Sequence, residues 1–404
     1  MKSSFSSSQV REGYARNVVP SYKRPETAPV LVKGQGTRVW DADGKEYLDF
    51  GGGIAVNCLG HAHPRLAKVL LDQASQLVHV SNLFFHPNQA ELAATLVKRT
   101  GPGKVFFCNS GAEANEAMVK AARKAGSGQG RFEIITTLNS FHGRTLGMIA
   151  ASGQERLREG FGPVVPGFVY VPYNDLAAVE KAMGPKTAAV MIEGIQGEGG
   201  VIPASADYLL GLRKLTRDQG VLLLMDAVQC GHYRTGCFQS YEKILNEAGR
   251  KETFLPDAIS MAKSLGAGFP IGAVWLGEKL MDVLAPGTHA TTYGGTALAC
   301  AVALEVLQII DEEKLAENVA IRGEELKEGL RKLAGRGWVG EVRGFGGMVG
   351  ATVKGRTHAE VAAQLALAGL LVVPAGSDVL RFLPPYNVTK QEIAEALRKV
   401  ETTL

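Results

Sequence analysis

The segment VLLLMDAVQ, residues 221–229, is a continuous apolar run that ends in one carboxylate, Asp226. A second segment, DAISMAKSLGAGFPIG at residues 257–272, carries another apolar run, which leads to Lys263 and a glycine-rich turn. A strand with one solvated face alternates apolar and polar residues, and neither run does so. Both runs are therefore predicted to be strands of a sheet that helices cover on both faces.

Further short apolar runs extend this pattern along the middle of the chain, and helical patterns at residues 175–183 and 206–219 separate some of them. The other predicted strands are residues 104–108, 132–137, 168–171, 188–192 and 271–276. Strands that alternate with helices indicate an α/β domain built on a largely parallel sheet.

Changes in the pattern of apolar, charged and turn residues predict three zones along the chain. A hairpin is expected in TRVWDADGKEYLDF, residues 37–50, because Asp43-Gly44 is a favourable turn between two strand-like runs. A charged amphipathic helix is expected at residues 311–334, where the pattern changes, and an apolar strand is expected at residues 370–374. The zones are an N-terminal segment, residues 1–65, that packs with the small domain; a large domain, residues 66–313; and a smaller α+β domain, residues 314–404.

Composition excludes several classes of function. The 44 Lys and Arg residues nearly balance the 40 Asp and Glu residues, which predicts neither a nucleic-acid surface nor a membrane surface. The five cysteines form no CxxC pair, which favours a reducing compartment. Residues 1–10 contain no apolar core of a signal peptide, and the longest apolar stretch, residues 297–304, is far too short to span a membrane. A soluble cytoplasmic protein is expected.

Lys263 and Asp226 are the first candidates for chemistry. Partial burial lowers the pKa of a lysine and leaves its amine neutral enough to attack an aldehyde, although a surface lysine after a strand is the alternative. Asp226 ends an apolar run and therefore needs a cationic partner. That partner could be a protonated pyridine nitrogen or the other half of a buried salt bridge.

Two other segments could hold a ligand. The Ser-Gly-Ala turn at residues 110–112 lies between a predicted strand and a helix, where free N–H groups bind phosphate, but Glu113 also fits a simple capping box. Phe141 could stack on a flat ring and Arg144 could clamp a carboxylate. The alternative for this pair is a core aromatic beside a solvated arginine.

Three more polar features could be either ligand contacts or ordinary polar residues of loops. GTHATTYGG, residues 287–295, offers hydroxyl groups for a phosphate. EGIQGEGG, residues 193–200, brings Glu193 and Glu198 just past a strand. Arg381 lies inside the apolar run VLRFLPP, so its charge needs an anion.

Taken in order, these motifs resemble the class III family of pyridoxal-phosphate-dependent aminotransferases, from about residue 30 to residue 404. The matching segments are DFGGGIAVNCLGHAHP (49–64), SNLFFHPNQAELA (81–93), VFFCNSGAEANEA (105–117), FHGRTLG (141–147), EGIQGEGGV (193–201), AKSLGAGFPIGA (262–273) and LRFLPP (380–385). The resemblance implies the fold type I of these enzymes and a homodimer whose active sites are shared between subunits.

The resemblance also implies roles for individual residues. Lys263 corresponds to the lysine that binds pyridoxal 5'-phosphate as a Schiff base and moves the proton, and Asp226 to the partner of the pyridine nitrogen. The other implied cofactor contacts are Gly111 and Ala112 (phosphate), Phe141 (stacking), Ala227, Val228, Gln229 (phenolic oxygen) and Thr292 (phosphate of the neighbouring subunit's cofactor). The implied substrate contacts are Arg144 (α-carboxylate), Thr291, and Glu198 with Arg381, which part when 2-oxoglutarate brings a second carboxylate.

The expected reaction moves the δ-amino group of N2-acetylornithine to 2-oxoglutarate. Ornithine, 4-aminobutyrate, succinylornithine and succinyldiaminopimelate are the alternative donors within the family. A cofactor-binding protein without turnover and a metal site at Cys58, His61 and His63 are the alternatives from other classes, although no second ligand pair has zinc-like spacing. Ala227 departs from the family, which usually has Glu there.

Overall fold

The computed structural model describes residues 6–22 and 24–404 of the chain. Half of the N-terminal stretch 1–10, for which no signal peptide is predicted, lies outside these ranges. Among the described residues, no helix combines the length and the apolar character that crossing a membrane requires.

The strands are β1 (Leu31–Gln35), β2 (Arg38–Asp41), β3 (Glu46–Asp49), β4 (Gly103–Cys108), β5 (Glu133–Thr137), β6 (Phe168–Val171), β7 (Thr187–Glu193), β8 (Ile195–Gln196), β9 (Ile202–Pro203), β10 (Leu222–Asp226), β11 (Ala258–Met261), β12 (Gly272–Gly277), β13 (Val339–Phe345), β14 (Met348–Val353), β15 (Leu370–Leu371), β16 (Val373–Ala375) and β17 (Val379–Phe382).

The helices are α1 (Ser7–Asn17), α2 (Gly52–Ala55), α3 (Pro64–Ala74), α4 (Pro87–Thr100), α5 (Gly111–Gly126), α6 (Leu146–Ala151), α7 (Leu176–Ala182), α8 (Ala206–Asp218), α9 (Ser240–Glu247), α10 (Ala297–Glu312), α11 (Leu315–Leu333), α12 (His358–Leu367) and α13 (Lys390–Glu401).

A seven-stranded sheet in the order β4-β12-β11-β10-β7-β5-β6 forms the centre of the molecule. Its strands are parallel except β12, which runs antiparallel to both of its neighbours. Leu223 and Met225 of β10 pack with Leu212 of α8, whereas Leu224 packs on the opposite face with Met118 of α5. The sheet is therefore covered on both faces, which confirms the predicted α/β fold.

Two four-stranded sheets accompany the central one, and the first of them joins N-terminal and C-terminal segments of the chain. The predicted hairpin is confirmed: β2 and β3 pair antiparallel on either side of Asp43-Gly44, and β3 then pairs in parallel with β15. Leu48 and Phe50 accordingly pack in one hydrophobic cluster with Leu326 of α11. The second sheet, β13-β14-β17-β16, carries Arg381 on β17. The boundaries proposed at residues 65 and 313 stay predictions.

Two sequence-based boundaries are wrong. The helix expected at residues 311–334 is divided, because Asp311 belongs to the last turn of α10 and α11 begins only at Leu315. Lys314 separates the two helices in a left-handed conformation (φ 53°), which a periodic pattern cannot reveal. The strand expected at residues 370–374 is likewise divided between two sheets, since β15 pairs with β3 and β16 pairs with β17.

Candidate active site

A cavity of about 390 Å³ opens at the carboxyl ends of the central parallel strands. Parallel sheets bind ligands at this edge because strand ends and the following loops converge there. Glu193 ends β7, Asp226 ends β10, and Lys263 follows β11 after one residue, so neighbouring strands deliver all of them to one place. All three side chains line the cavity.

Lys263 begins a short 3₁₀ turn and has a left-handed backbone conformation (φ 47°). Within the described part of the chain, its amine has no ion-pair partner closer than 4.0 Å. Desolvation by the surrounding protein lowers the pKa of Lys263 to about 8, against the opposing effect of the Glu198 charge. A substantial fraction of the amine is therefore neutral near physiological pH, as nucleophilic attack requires.

Asp226 is held in place by several hydrogen-bond donors. Its Oδ2 accepts hydrogen bonds from Asn115 Nδ2 (2.7 Å) and His142 Nδ1 (2.8 Å). Its Oδ1 accepts from the Val228 N–H (3.0 Å) and Ser260 Oγ (3.4 Å). These bonds compensate the desolvation of a carboxylate that is only 4% exposed, and they fix its orientation toward the cavity.

Glu193 is a second buried carboxylate beside Asp226, with which it is paired across β7 and β10. Its Oε1 accepts the Phe141 N–H (3.0 Å) and its Oε2 accepts the Gly197 N–H (3.4 Å). Burial, together with the nearby charge of Asp226, raises the pKa of Glu193 well above the ordinary value. The Glu193 carboxylate thus fixes the backbone of Phe141, whose ring lines the cavity.

The predicted phosphate turn caps α5 and faces the cavity. Ser110 Oγ accepts the Glu113 N–H (3.2 Å) and so caps the helix, but the predicted capping box is incomplete, because Glu113 Oε2 accepts the Asn109 N–H (2.6 Å). Gly111 and Ala112 line the cavity with the first helical turn. A Cβ on Gly111 would lie only 2.6 Å from Val228 Cγ1, so close packing at this turn requires glycine. The helix N-terminus therefore presents N–H groups and a positive dipole end to an anion.

Phe141 and Arg144 also line the cavity. The Arg144 guanidinium lies over the Phe141 ring, 5.6 Å from its centroid, and Arg144 is exposed. Stacking on the ring restricts the arginine without using its hydrogen-bond donors, which remain available for a carboxylate.

An ion pair connects the C-terminal sheet to the cavity. Arg381 Nη1 on β17 donates to Glu198 Oε1 (2.7 Å) and also to Gln229 Oε1 (2.7 Å). Burial alone would raise the pKa of Glu198, but the charge and hydrogen bond of Arg381 outweigh it and lower that pKa. Gln229 lines the cavity and joins this pair to it.

Five of the sequence-predicted residues do not line this cavity: Glu198 and Arg381, which reach it through Gln229, and three that lie elsewhere. Thr291 and Thr292 line a second, larger cavity of about 730 Å³, which is lined on its other side by residues 81–83 and Phe85. Asn109 connects the two cavities, because its Nδ2 donates to Thr291 Oγ1 (3.1 Å). Ala227 is fully buried in the main core, and the described lining of the first cavity does not contain it.

The sequence reasoning did not assign Asn115, His142 or Ser260, and it left Glu193 open. A signal existed for Glu193, because it ends a buried strand next to the strand that carries Asp226. The rival metal site does not assemble: within residues 6–22 and 24–404, no group of three or more His, Cys, Asp or Glu could hold a metal ion. His61 Nε2 is instead 2.8 Å from Asp49 Oδ2.

Comparisons with known proteins agree with this architecture. The family "Aminotransferase class-III" matches residues 21–404. Relatives named acetylornithine aminotransferase, from Caldanaerobacter subterraneus subsp. tengcongensis and Myxococcus xanthus, are 44% and 46% identical to this chain. The alignments cover 93% and 94% of this chain and 94% and 93% of theirs.

Solved structures give the same result. The ornithine aminotransferase of Toxoplasma gondii has a TM-score of 0.92 and 34% identity, over 98% of this chain and 94% of that one. The N-acetylornithine aminotransferase of Stenotrophomonas maltophilia has a TM-score of 0.81 and 36% identity, over 98% of both chains. The chain therefore belongs to the class III aminotransferase family.

Proposed function

We propose that this protein transfers the δ-amino group of N2-acetylornithine to 2-oxoglutarate. The observation that carries the proposal is the amine of Lys263, partly desolvated and lying in one cavity with a fixed carboxylate, Asp226, and with Arg144, which has no ion-pair partner among the described residues. Relatives named acetylornithine aminotransferase that are 44% and 46% identical to the chain support the choice of donor. The expected products are N-acetylglutamate 5-semialdehyde and glutamate.

Class III aminotransferases depend on pyridoxal 5'-phosphate, and the residues of the cavity fit this group. Gly111, whose missing Cβ lets Val228 pack closely on the turn, would hold the phosphate through backbone N–H groups at the N-terminus of α5. Asp226 would face the pyridine nitrogen, and Phe141 would cover the ring. When bound, the cofactor supplies an electron sink for the electron pair released at the substrate carbon.

The protein's own groups would perform the remaining steps. Lys263 would attach the cofactor through its neutral amine and then move the proton at the δ-carbon of the donor. Arg144 would donate parallel hydrogen bonds to the α-carboxylate of acetylornithine. Arg381 would bind the second carboxylate of 2-oxoglutarate once Glu198 has released it, so that one cavity accommodates both substrates.

We further propose that the active protein is a homodimer in which Thr292 reaches the cofactor phosphate of the neighbouring subunit. Two features support this arrangement. Thr292 is exposed and lines a cavity of about 730 Å³ that lacks the Lys263 amine. Beside this cavity, Leu83, Phe84 and Phe85 are 86%, 68% and 105% exposed, a cluster of apolar side chains that a second subunit would cover.

The test is a donor screen that follows the half-reaction spectroscopically through the absorbance of the bound cofactor. We expect acetylornithine to react faster than ornithine, because the acyl group removes the α-ammonium charge while Arg144 binds the carboxylate. Ornithine is the second candidate, since an ornithine aminotransferase has a TM-score of 0.92 to this chain. A preference for ornithine by a factor of about 10, or about 1.4 kcal/mol, would reject the proposed donor. Absence of amino transfer from every donor would reject the enzymatic function.

A further inference from the structure

Gln229, Glu198 and Arg381 form a closed set of hydrogen bonds. Arg381 Nη1 donates to Glu198 Oε1 and to Gln229 Oε1, each at 2.7 Å. Gln229 Nε2 donates in turn to the same Glu198 oxygen (3.4 Å). The amide orientation is fixed by chemistry, because a guanidinium has donors only and can accept no hydrogen bond from an NH₂ group.

The surroundings prevent Arg381 and Gln229 from moving apart. Arg381 is 1% exposed and Gln229 is 7% exposed, so neither can turn toward bulk water. Gly197 confines the amide further, since a Cβ at that position would lie 2.2 Å from Gln229 Oε1. Glu198 differs from both, because its side chain is 26% exposed and it lies on the loop after β8.

We infer that Gln229 is a positioning residue of this ion pair, which holds Arg381 in place while Glu198 is exchanged for the second carboxylate of the acceptor. The inference rests on the proposed function. When Glu198 leaves, Arg381 loses a charged partner but keeps Gln229 Oε1 and the Pro374 carbonyl (3.3 Å). The guanidinium therefore keeps its position, and the Nη1 hydrogen that Glu198 has released can donate to the incoming carboxylate.

This role differs from a contact between Gln229 and the cofactor alone. The same cofactor serves the donor and the acceptor half-reactions, so a pure cofactor contact affects both by a similar factor. A residue that holds Arg381 acts chiefly in the acceptor half-reaction, where a second carboxylate must be bound. The two roles are therefore separated by comparing the half-reactions and by comparing KM with kcat.

The experiment uses the cofactor-loaded enzyme with Gln229→Met, which keeps the side-chain length and removes the amide. We expect KM for 2-oxoglutarate to rise roughly ten- to hundredfold, the typical effect of losing a hydrogen bond to a charged group. The donor kcat/KM should fall by a smaller factor. The matched control is Gln196→Met on β8, a buried glutamine that donates to Thr137 Oγ1 (3.0 Å) and the Leu138 carbonyl (2.9 Å). The control should leave the ratio of the two half-reactions unchanged.

Gly197→Ala provides a second variant that removes no polar group. Its added methyl group should displace the Gln229 amide from Arg381 and raise KM for 2-oxoglutarate in the same direction. If Gln229→Met does not bind the cofactor, Gly197→Ala decides the question. Equal losses in both half-reactions, or an equal shift of their ratio by Gln196→Met, would overturn the inference. The proposed function is tested separately, because the donor preference of the unsubstituted enzyme decides it.

Discussion

Asp226 and Glu198 are two carboxylates at the same edge of the central sheet, but the protein holds them in opposite ways. Asp226 is 4% exposed and accepts hydrogen bonds from several donors, among them Asn115 Nδ2 and His142 Nδ1. Glu198 is 26% exposed in its side chain, lies on a loop, and is held mainly by a charge on another sheet, Arg381.

The difference shows how a fixed charge and an exchangeable charge can be built from similar residues. Several hydrogen-bond donors hold Asp226 in one position, where its carboxylate can face a cationic group in the cavity. Arg381 stabilises Glu198 strongly, but an incoming carboxylate can replace Glu198 with little change in net charge. The first carboxylate is therefore suited to both half-reactions, and the second is suited to discriminating between substrates.

The largest expected effect comes from removing the amine that lies near both carboxylates. Lys263→Ala should reduce amino transfer by about 10⁴-fold or more, since proton transfer and covalent attachment are both lost. It should also abolish fixation of the cofactor by borohydride. Lys279→Ala, at a lysine whose side chain is 60% exposed, is the matched control and should retain both properties. Borohydride-fixed cofactor in Lys263→Ala would contradict the assignment.

The next effect distinguishes the carboxylates directly. Asp226→Asn should lower both half-reactions by about 10²- to 10³-fold, the usual loss when one preorganised electrostatic contact is removed. The NH₂ group of the new amide would also replace an oxygen that now accepts a hydrogen bond from Asn115 Nδ2 or the Val228 N–H, and that hydrogen bond would be lost. Single-turnover rates with acetylornithine and with 2-oxoglutarate measure both losses.

Glu198→Gln should instead change the two half-reactions in opposite directions. Without the Glu198 charge, Arg381 is free for 2-oxoglutarate, whose KM should fall by about tenfold, whereas its unpaired charge should slow the reaction with the donor. The same single-turnover measurements apply. Parallel losses in Asp226→Asn and Glu198→Gln would mean that the two carboxylates do not differ in the way proposed.

The sequence predicted the fixed part of this site better than the exchangeable part. Asp226 and Lys263 each follow a buried apolar run, and the order of parallel strands brings such residues together at one edge. Asn115 was not found, because its bond to Asp226 depends on how α5 packs against the sheet. Glu198 and Arg381 are 183 residues apart in the chain, so only the family resemblance predicted that they would pair.

The smallest expected effect concerns the titration of Lys263, and it also separates the two carboxylates. Burial lowers the pKa of Lys263 to about 8, so its amine becomes neutral as the pH rises through that value. Attachment of pyridoxal 5'-phosphate to the cofactor-free protein should therefore accelerate with rising pH and level off above about 8. The charges of Glu198 and Asp226 both raise the pKa of Lys263, and Glu198 has the larger effect.

Glu198→Gln should consequently move the midpoint of the attachment profile to lower pH, and Asp226→Asn should move it in the same direction by less. Rate constants for attachment, measured across the pH range at constant ionic strength, give all three midpoints. A larger shift in Asp226→Asn would place the fixed carboxylate, rather than the exchangeable one, in control of the amine. If Glu198 has the larger influence, its departure from Arg381 can change the protonation of Lys263 as well as the substrate that binds, since both depend on the position of a single carboxylate.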